Sequence, residues 1–91
     1  MAEENKEPKS IKFHGTYEQF KPMFGNEFPG GTWSEVQWGY KYTYLDTFIT
    51  YYYSTNRIVV QSGTHDLRSK IYAVIEDMNA HIDASNRFGS V

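Results

Sequence analysis

The sequence predicts an α+β domain: a three-stranded antiparallel meander with two helices on one face, in the order α-β-β-β-α, with room for a short extra strand at the amino terminus. Three observations carry this reading. The stretch from Trp33 to Gln61, WSEVQWGYKYTYLDTFITYYYSTNRIVVQ, is dominated by β-branched and aromatic residues, and only Leu45-Asp46 and Thr55-Asn56 interrupt it where hairpin turns would fall. Apolar residues recur at helical spacing on both sides of that stretch. The two hairpins, placed independently, also sort their side chains onto the same two faces.

Residues 1–10, MAEENKEPKS, are polar and carry both charge signs, so they read as a tail outside the fold. A single domain is expected over 11–83. Ile11-Lys12-Phe13 alternates apolar and polar residues, which suits the short extra strand before Gly15. Thr16 with Gln19 fits a capping box, and Tyr17, Phe20 and Phe24 follow at helical spacing, with Gly25 as a stop. Pro22 falls inside this segment and removes a backbone hydrogen bond, so a short or broken helix is expected. Asn26 to Gly31 is a loop into the first strand. Beyond the meander, Thr64 is a natural N-cap with Asp66 in the first turn. Leu67, Ile71, Val74, Ile75, Met78 and Ile82 then mark the apolar stripe of the strongest helix in the chain. From Ala84 onward the composition turns small and polar, and residues 84–91 are expected to fray.

Taking Leu45-Asp46 as a two-residue turn pairs Thr43 with Phe48, Tyr42 with Ile49, Tyr40 with Tyr51 and Trp38 with Tyr53. Taking Thr55-Asn56 the same way pairs Tyr53 with Ile58 and Tyr52 with Val59. Paired residues share a face. One face then collects Trp38, Tyr40, Tyr42, Ile49, Tyr51, Tyr53, Ile58 and Val60, a core face for the helices to cover. The other collects Trp33, Glu35, Gln37, Gly39, Lys41, Thr43, Phe48, Thr50, Tyr52, Arg57, Val59 and Gln61 and is left open, with Tyr52 lying over Gly39.

Composition narrows the function classes. With 18% aromatic and 22% charged residues the chain is an ordered domain rather than a disordered one. It has no cysteine, which removes disulfides and thiolate chemistry and suits a cytoplasmic setting. No apolar run is long enough to span a bilayer, so no membrane partner is expected. Nine basic against eleven acidic residues leave a net charge of −2, so any attraction to nucleic-acid phosphates must be local.

The run from Ile49 to Lys70, ITYYYSTNRIVVQSGTHDLRSK, resembles the strand, turn, strand and helix pattern of small TATA-binding-protein-like domains, such as the amino-terminal domain of type HIII ribonuclease H. The shared positions are Tyr53-Ser54-Thr55 at the turn, Ile58-Val59-Val60-Gln61 in the strand and Gly63 before the helix, with Ser62 inserted between Gln61 and Gly63. The resemblance covers about a quarter of the chain. It implies that the open sheet resembles a nucleic-acid-binding surface, carried here by Lys41, Phe48, Tyr52 and Val59. The helix, three strands, helix order is also that of double-stranded-RNA-binding domains, but Thr64-His65-Asp66-Leu67-Arg68 stands where their lysine cluster would be.

No catalytic signature accompanies the fold. His14, His65 and His81 lack the spacing of a ligand pair, no nucleophile elbow surrounds any serine, and Pro29-Gly30-Gly31 lacks the Lys-Ser/Thr that a phosphate loop requires. No catalytic residue, metal or cofactor is therefore expected. The reading is a small non-enzymatic interaction module, of inhibitor or adaptor type, that binds a protein partner through the open face or an exposed edge strand. The alternative is a surface for single-stranded nucleic acid or a nucleotide, held by base stacking. Trp33, Lys41, Phe48, Tyr52, Arg57 and Val59 are the candidate binding residues, and pairing of edge strands into a homodimer is a variant.

Overall fold

Five strands build the sheet where the sequence pattern suggested three. The computed structural model describes residues 10–89, in the order β1 (Ile11–Lys12), α1 (Tyr17–Glu27), β2 (Thr32–Val36), β3 (Gly39–Tyr44), β4 (Thr47–Tyr52), β5 (Arg57–Ser62) and α2 (His65–Gly89). The tail expected over residues 1–10 lies, Ser10 apart, outside the described residues. All pairings are antiparallel, and the spatial order is β1-β5-β4-β3-β2.

The extra strands have separate origins. The short extra strand at Ile11-Lys12 forms and pairs with Ile58 and Arg57 at the edge of β5. The long strand expected from Trp33 to Tyr44 is instead a hairpin, because the chain reverses at Gln37-Trp38, where Trp38 has φ 65°. Gly39 permits this reversal. A Cβ there would be driven into the Tyr51 carbonyl, so only glycine lets β3 start this close to the end of β4.

The hairpin at Leu45-Asp46 keeps its expected register, with Tyr44 opposite Thr47 and Tyr42 opposite Ile49. Both turn residues are left-handed, Leu45 at φ 47° and Asp46 at φ 63°, the backbone that a two-residue hairpin requires. The second hairpin does not keep its expected register. A loop from Tyr53 to Asn56 replaces the two-residue turn, and Tyr52 pairs with Arg57, Tyr51 with Ile58 and Thr50 with Val59. Each pairing is displaced by two residues from the expected one. Because sheet faces alternate with period two, an even displacement leaves every β4 and β5 side chain on its expected face. Asn56 explains the loop: its backbone carbonyl accepts from Phe13 N–H, its amide nitrogen donates to the Phe13 and Gly15 carbonyls, and Tyr51 hydroxyl donates to its amide oxygen.

The core lies on one side of this sheet. Tyr42, Ile49, Tyr51, Ile58 and Val60 from the strands pack with Phe20, Phe24 and Phe28 from the first helical segment and Ile71, Tyr72, Ile75, Met78 and Ile82 from α2. Helix α1 runs unbroken from Tyr17 to Glu27 although Pro22 lies inside it, and Gly25 is an interior residue rather than a stop. The capping box of Thr16 and Gln19 starts it, and Phe20 and Phe24, both fully buried, hold it down. Burying each such ring contributes about 1.5–3 kcal/mol, comparable with the roughly 3 kcal/mol that an interior proline costs. Helix α2 continues to Gly89, past the Ala84 at which fraying was expected, and no proline or glycine interrupts it before that end. Asn79 and Asp83 tie this helix to the β1 segment: Asn79 bonds the Lys12 carbonyl and His14 N–H, and the Asp83 carboxylate sits 2.9 Å from His14 Nδ1.

Candidate functional site

The ladder registers give the side of the sheet away from the core as three cross-strand rows. Val36, Gly39, Tyr52, Arg57 and Lys12 form one, Ser34, Lys41, Thr50 and Val59 the next, and Thr32, Thr43, Phe48 and Gln61 the third. None of these residues belongs to the core cluster. Lys41, Phe48, Tyr52, Arg57 and Val59 therefore share the open face, as the alternation requires. Thr50 sits at the middle, ringed by Lys41 and Val59 across the strands and by Phe48 and Tyr52 along its own, and is buried although it lies outside the core cluster. Phe48, Tyr52 and Val59 are half-buried.

Trp33 is not on this face. The reversal at Gln37-Trp38 changes which side each β2 residue takes, and Trp33 pairs with Tyr42 and packs its indole against Tyr17, Phe20 and Tyr42. The same reversal takes Trp38 off the core face and leaves it 58% exposed. Tyr53, also expected in the core, is 52% exposed beside it, with its N–H donating to the Trp38 carbonyl.

The face carries more positive charge than the two cations read from the sequence. Adding β1 brings Lys12 next to Arg57, so Lys12, Lys41 and Arg57 stand on it, while its three rows contain no carboxylate. Lys41 Nζ lies 4.9 Å from the centre of the Phe48 ring, and Arg57 donates to Ser10 Oγ at 3.0 Å. A chain with net charge −2 thus presents a locally basic, aromatic surface.

A second aromatic assembly lies on the helix side, at the end of the sheet that carries Trp38 and the Tyr53–Asn56 loop. Tyr17, at the first position of α1, stacks on Tyr40 with ring centres 3.8 Å apart and planes 11° from parallel, and Tyr51 lies 5.9 Å from Tyr17. This stacked pair borders two clefts. One, of about 380 Å³, is lined by Thr16, Tyr17, Glu18, Tyr40, Tyr51, Tyr53 and Asn56. The other, of about 330 Å³, is lined by Tyr17, Lys21, Trp33, Ser34, Glu35 and Tyr40. Burial raises the Tyr17 pKa above the ordinary tyrosine value, and Tyr40, Glu18 and Glu35 push it the same way; burial and then Glu18 raise that of Tyr51. Sequence alternation had assigned Tyr40, Tyr51 and Tyr53 to packing. The Gln37-Trp38 turn and the longer Asn56 loop lie at this end of the sheet, and Gly39, the first residue of β3, was the sequence signal for the first of them.

The fold and its surfaces define a class: an antiparallel sheet shielded by two helices on one side and open, basic and aromatic on the other. In comparisons with known proteins no family model, no curated protein and no solved structure matches the chain. Among the described residues no helix is long and apolar enough to cross a membrane, and no group of three histidine, cysteine or carboxylate residues is placed to hold a metal ion.

Proposed function

We propose that this chain is a non-enzymatic interaction module, of inhibitor or adaptor type, that docks a protein partner on the open face of its sheet. The observation that carries the reading is the one-sided fold: both helices supply the core on the Ile49, Tyr51 and Val60 side, and on the other Phe48, Tyr52 and Val59 stand half-buried around Thr50 with no helix over them among the described residues. An apolar and aromatic centre with threonine, serine and glutamine around it has the anatomy of a protein interface. Lys12, Lys41 and Arg57, with no carboxylate between them, select a partner whose contacting surface is acidic. The outer edge of β2 adjoins this face and pairs with nothing among the described residues, so it offers backbone groups to the same partner.

Those cations also favour a second reading, in which bases of a single strand stack on Phe48 and Tyr52. Opposing it, three cations are few for tracking a phosphate backbone, and the chain as a whole repels one. The two readings separate in one set of measurements. Alanine at both Phe48 and Tyr52 should remove partner capture while the circular dichroism spectrum stays that of the folded protein; undiminished capture would reject this face. Labelled single-stranded DNA and RNA should not bind at low or high salt. Salt-sensitive binding that the double variant loses would assign the face to nucleic acid instead.

A further inference from the structure

The geometry points to a second binding site, independent of the open face: the cleft between the start of α1 and the Tyr53–Asn56 loop is a receptor for an organic cation, a methylated ammonium group. Four tyrosines, Tyr17, Tyr40, Tyr51 and Tyr53, line it together with the carboxylate of Glu18, and among the described residues no lysine, arginine or histidine does. Aromatic faces carry negative charge density, and they attract a cation most strongly where water is partly excluded.

The neighbouring cleft shows what this arrangement accepts. On the far side of the Tyr17–Tyr40 stack the lining again combines aromatic rings with a carboxylate, here Trp33 and Glu35, and the chain fills the place with a cation of its own: Lys21 Nζ lies 5.9 Å from the ring centres of both Tyr17 and Trp33. The first cleft shares Tyr17 and Tyr40 with it and again combines aromatic rings, here Tyr51 and Tyr53, with a carboxylate, Glu18, and among the described residues it has no side-chain cation in its lining. An anion is disfavoured there. Glu18, in the lining, repels it.

Among cations, methylated ones gain most, because they surrender less hydration on entering an aromatic site than a bare ammonium does. The ligand has two sources, a modified side chain of another protein or a free quaternary amine, and the test distinguishes them. Amide and ring resonances of the isotope-labelled protein are followed during titration with choline, with its uncharged carbon isostere 3,3-dimethylbutanol, and with a short peptide containing trimethyl-lysine. Choline or the peptide is expected to shift Tyr17, Tyr40 and Tyr53, and the isostere to bind about tenfold more weakly or not at all. Tyr53→Ala and Glu18→Gln should each weaken binding about three- to tenfold, with the dispersion of the remaining resonances unchanged. Tighter binding of the peptide than of choline assigns the cleft to a protein side chain, and equal binding assigns it to the free amine. Equal affinity for choline and the isostere, or no shift at these tyrosines with either cation, would overturn the proposal. Neither variant touches Phe48 or Tyr52, so failure here leaves the open-face reading to its own experiment.

Discussion

Asn56 does more to set the shape of this protein than its place in a polar loop suggests. At φ 58° it adopts the left-handed backbone that asparagine tolerates, and its carboxamide joins the Phe13 and Gly15 carbonyls to the Tyr51 hydroxyl. That one side chain fixes where the β1 segment crosses the end of β5. Leu45 is the opposite case. It holds φ 47° with its side chain 68% exposed, so a bulky residue occupies a left-handed turn position that costs roughly 1–2 kcal/mol and buries little in return. Replacing Leu45-Asp46 by Asn-Gly should therefore stabilise the protein by about 1–2 kcal/mol in urea unfolding, while loss of stability would show that the leucine makes contacts its exposure hides. At this scale the sequence was legible wherever alternation alone decided the matter, as for Phe48 and Tyr52. It misled at Trp33 and Trp38: Trp33 packs against the core and Trp38 is exposed, because the chain reverses at Gln37-Trp38, a turn that contains neither proline nor asparagine.

At the scale of elements, the sheet treats its two edges differently. The β5 edge is covered: Ile11 and Lys12 pair with Ile58 and Arg57, and just past them Tyr72 of α2 offers its hydroxyl to the Val60 N–H at 3.2 Å. Tyr72→Phe leaves that buried donor without this acceptor and should cost about 1–3 kcal/mol, with faster exchange of the Val60 amide; unchanged exchange would show that the hydroxyl is not its partner. The β2 edge has no such cover among the described residues, which makes it the side from which another strand can be added. Helix α2 could be read directly, from a stripe of apolar residues; the Leu45-Asp46 hairpin keeps its expected register although Leu45 is a poor match for the left-handed backbone its turn adopts. The five-strand count could not be read, because a tight reversal at Gln37-Trp38 looks like continuous strand when only β propensity is weighed. The second hairpin shows why a wrong register can still give a right face: the Asn56 loop displaced every pair by two positions, and two is the period of the sheet.

Over the whole molecule, the two helices and the sheet divide the surface into unlike halves. The helix side holds the core and, at one end, tyrosines gathered around Glu18; the far side presents three cations, two half-buried aromatic rings and no carboxylate in its rows. Each proposed site depends on that division, the open face most of all. Methyl relaxation caused by a neutral, soluble gadolinium chelate tests it directly, in a sample that light scattering shows to be monomeric. Val36 and Val59 should broaden strongly while Val60, Ile49 and Ile58 stay sharp. Equal protection of Val59 and Val60 would mean that both sides of the sheet are covered, and the docking surface would have to be sought elsewhere.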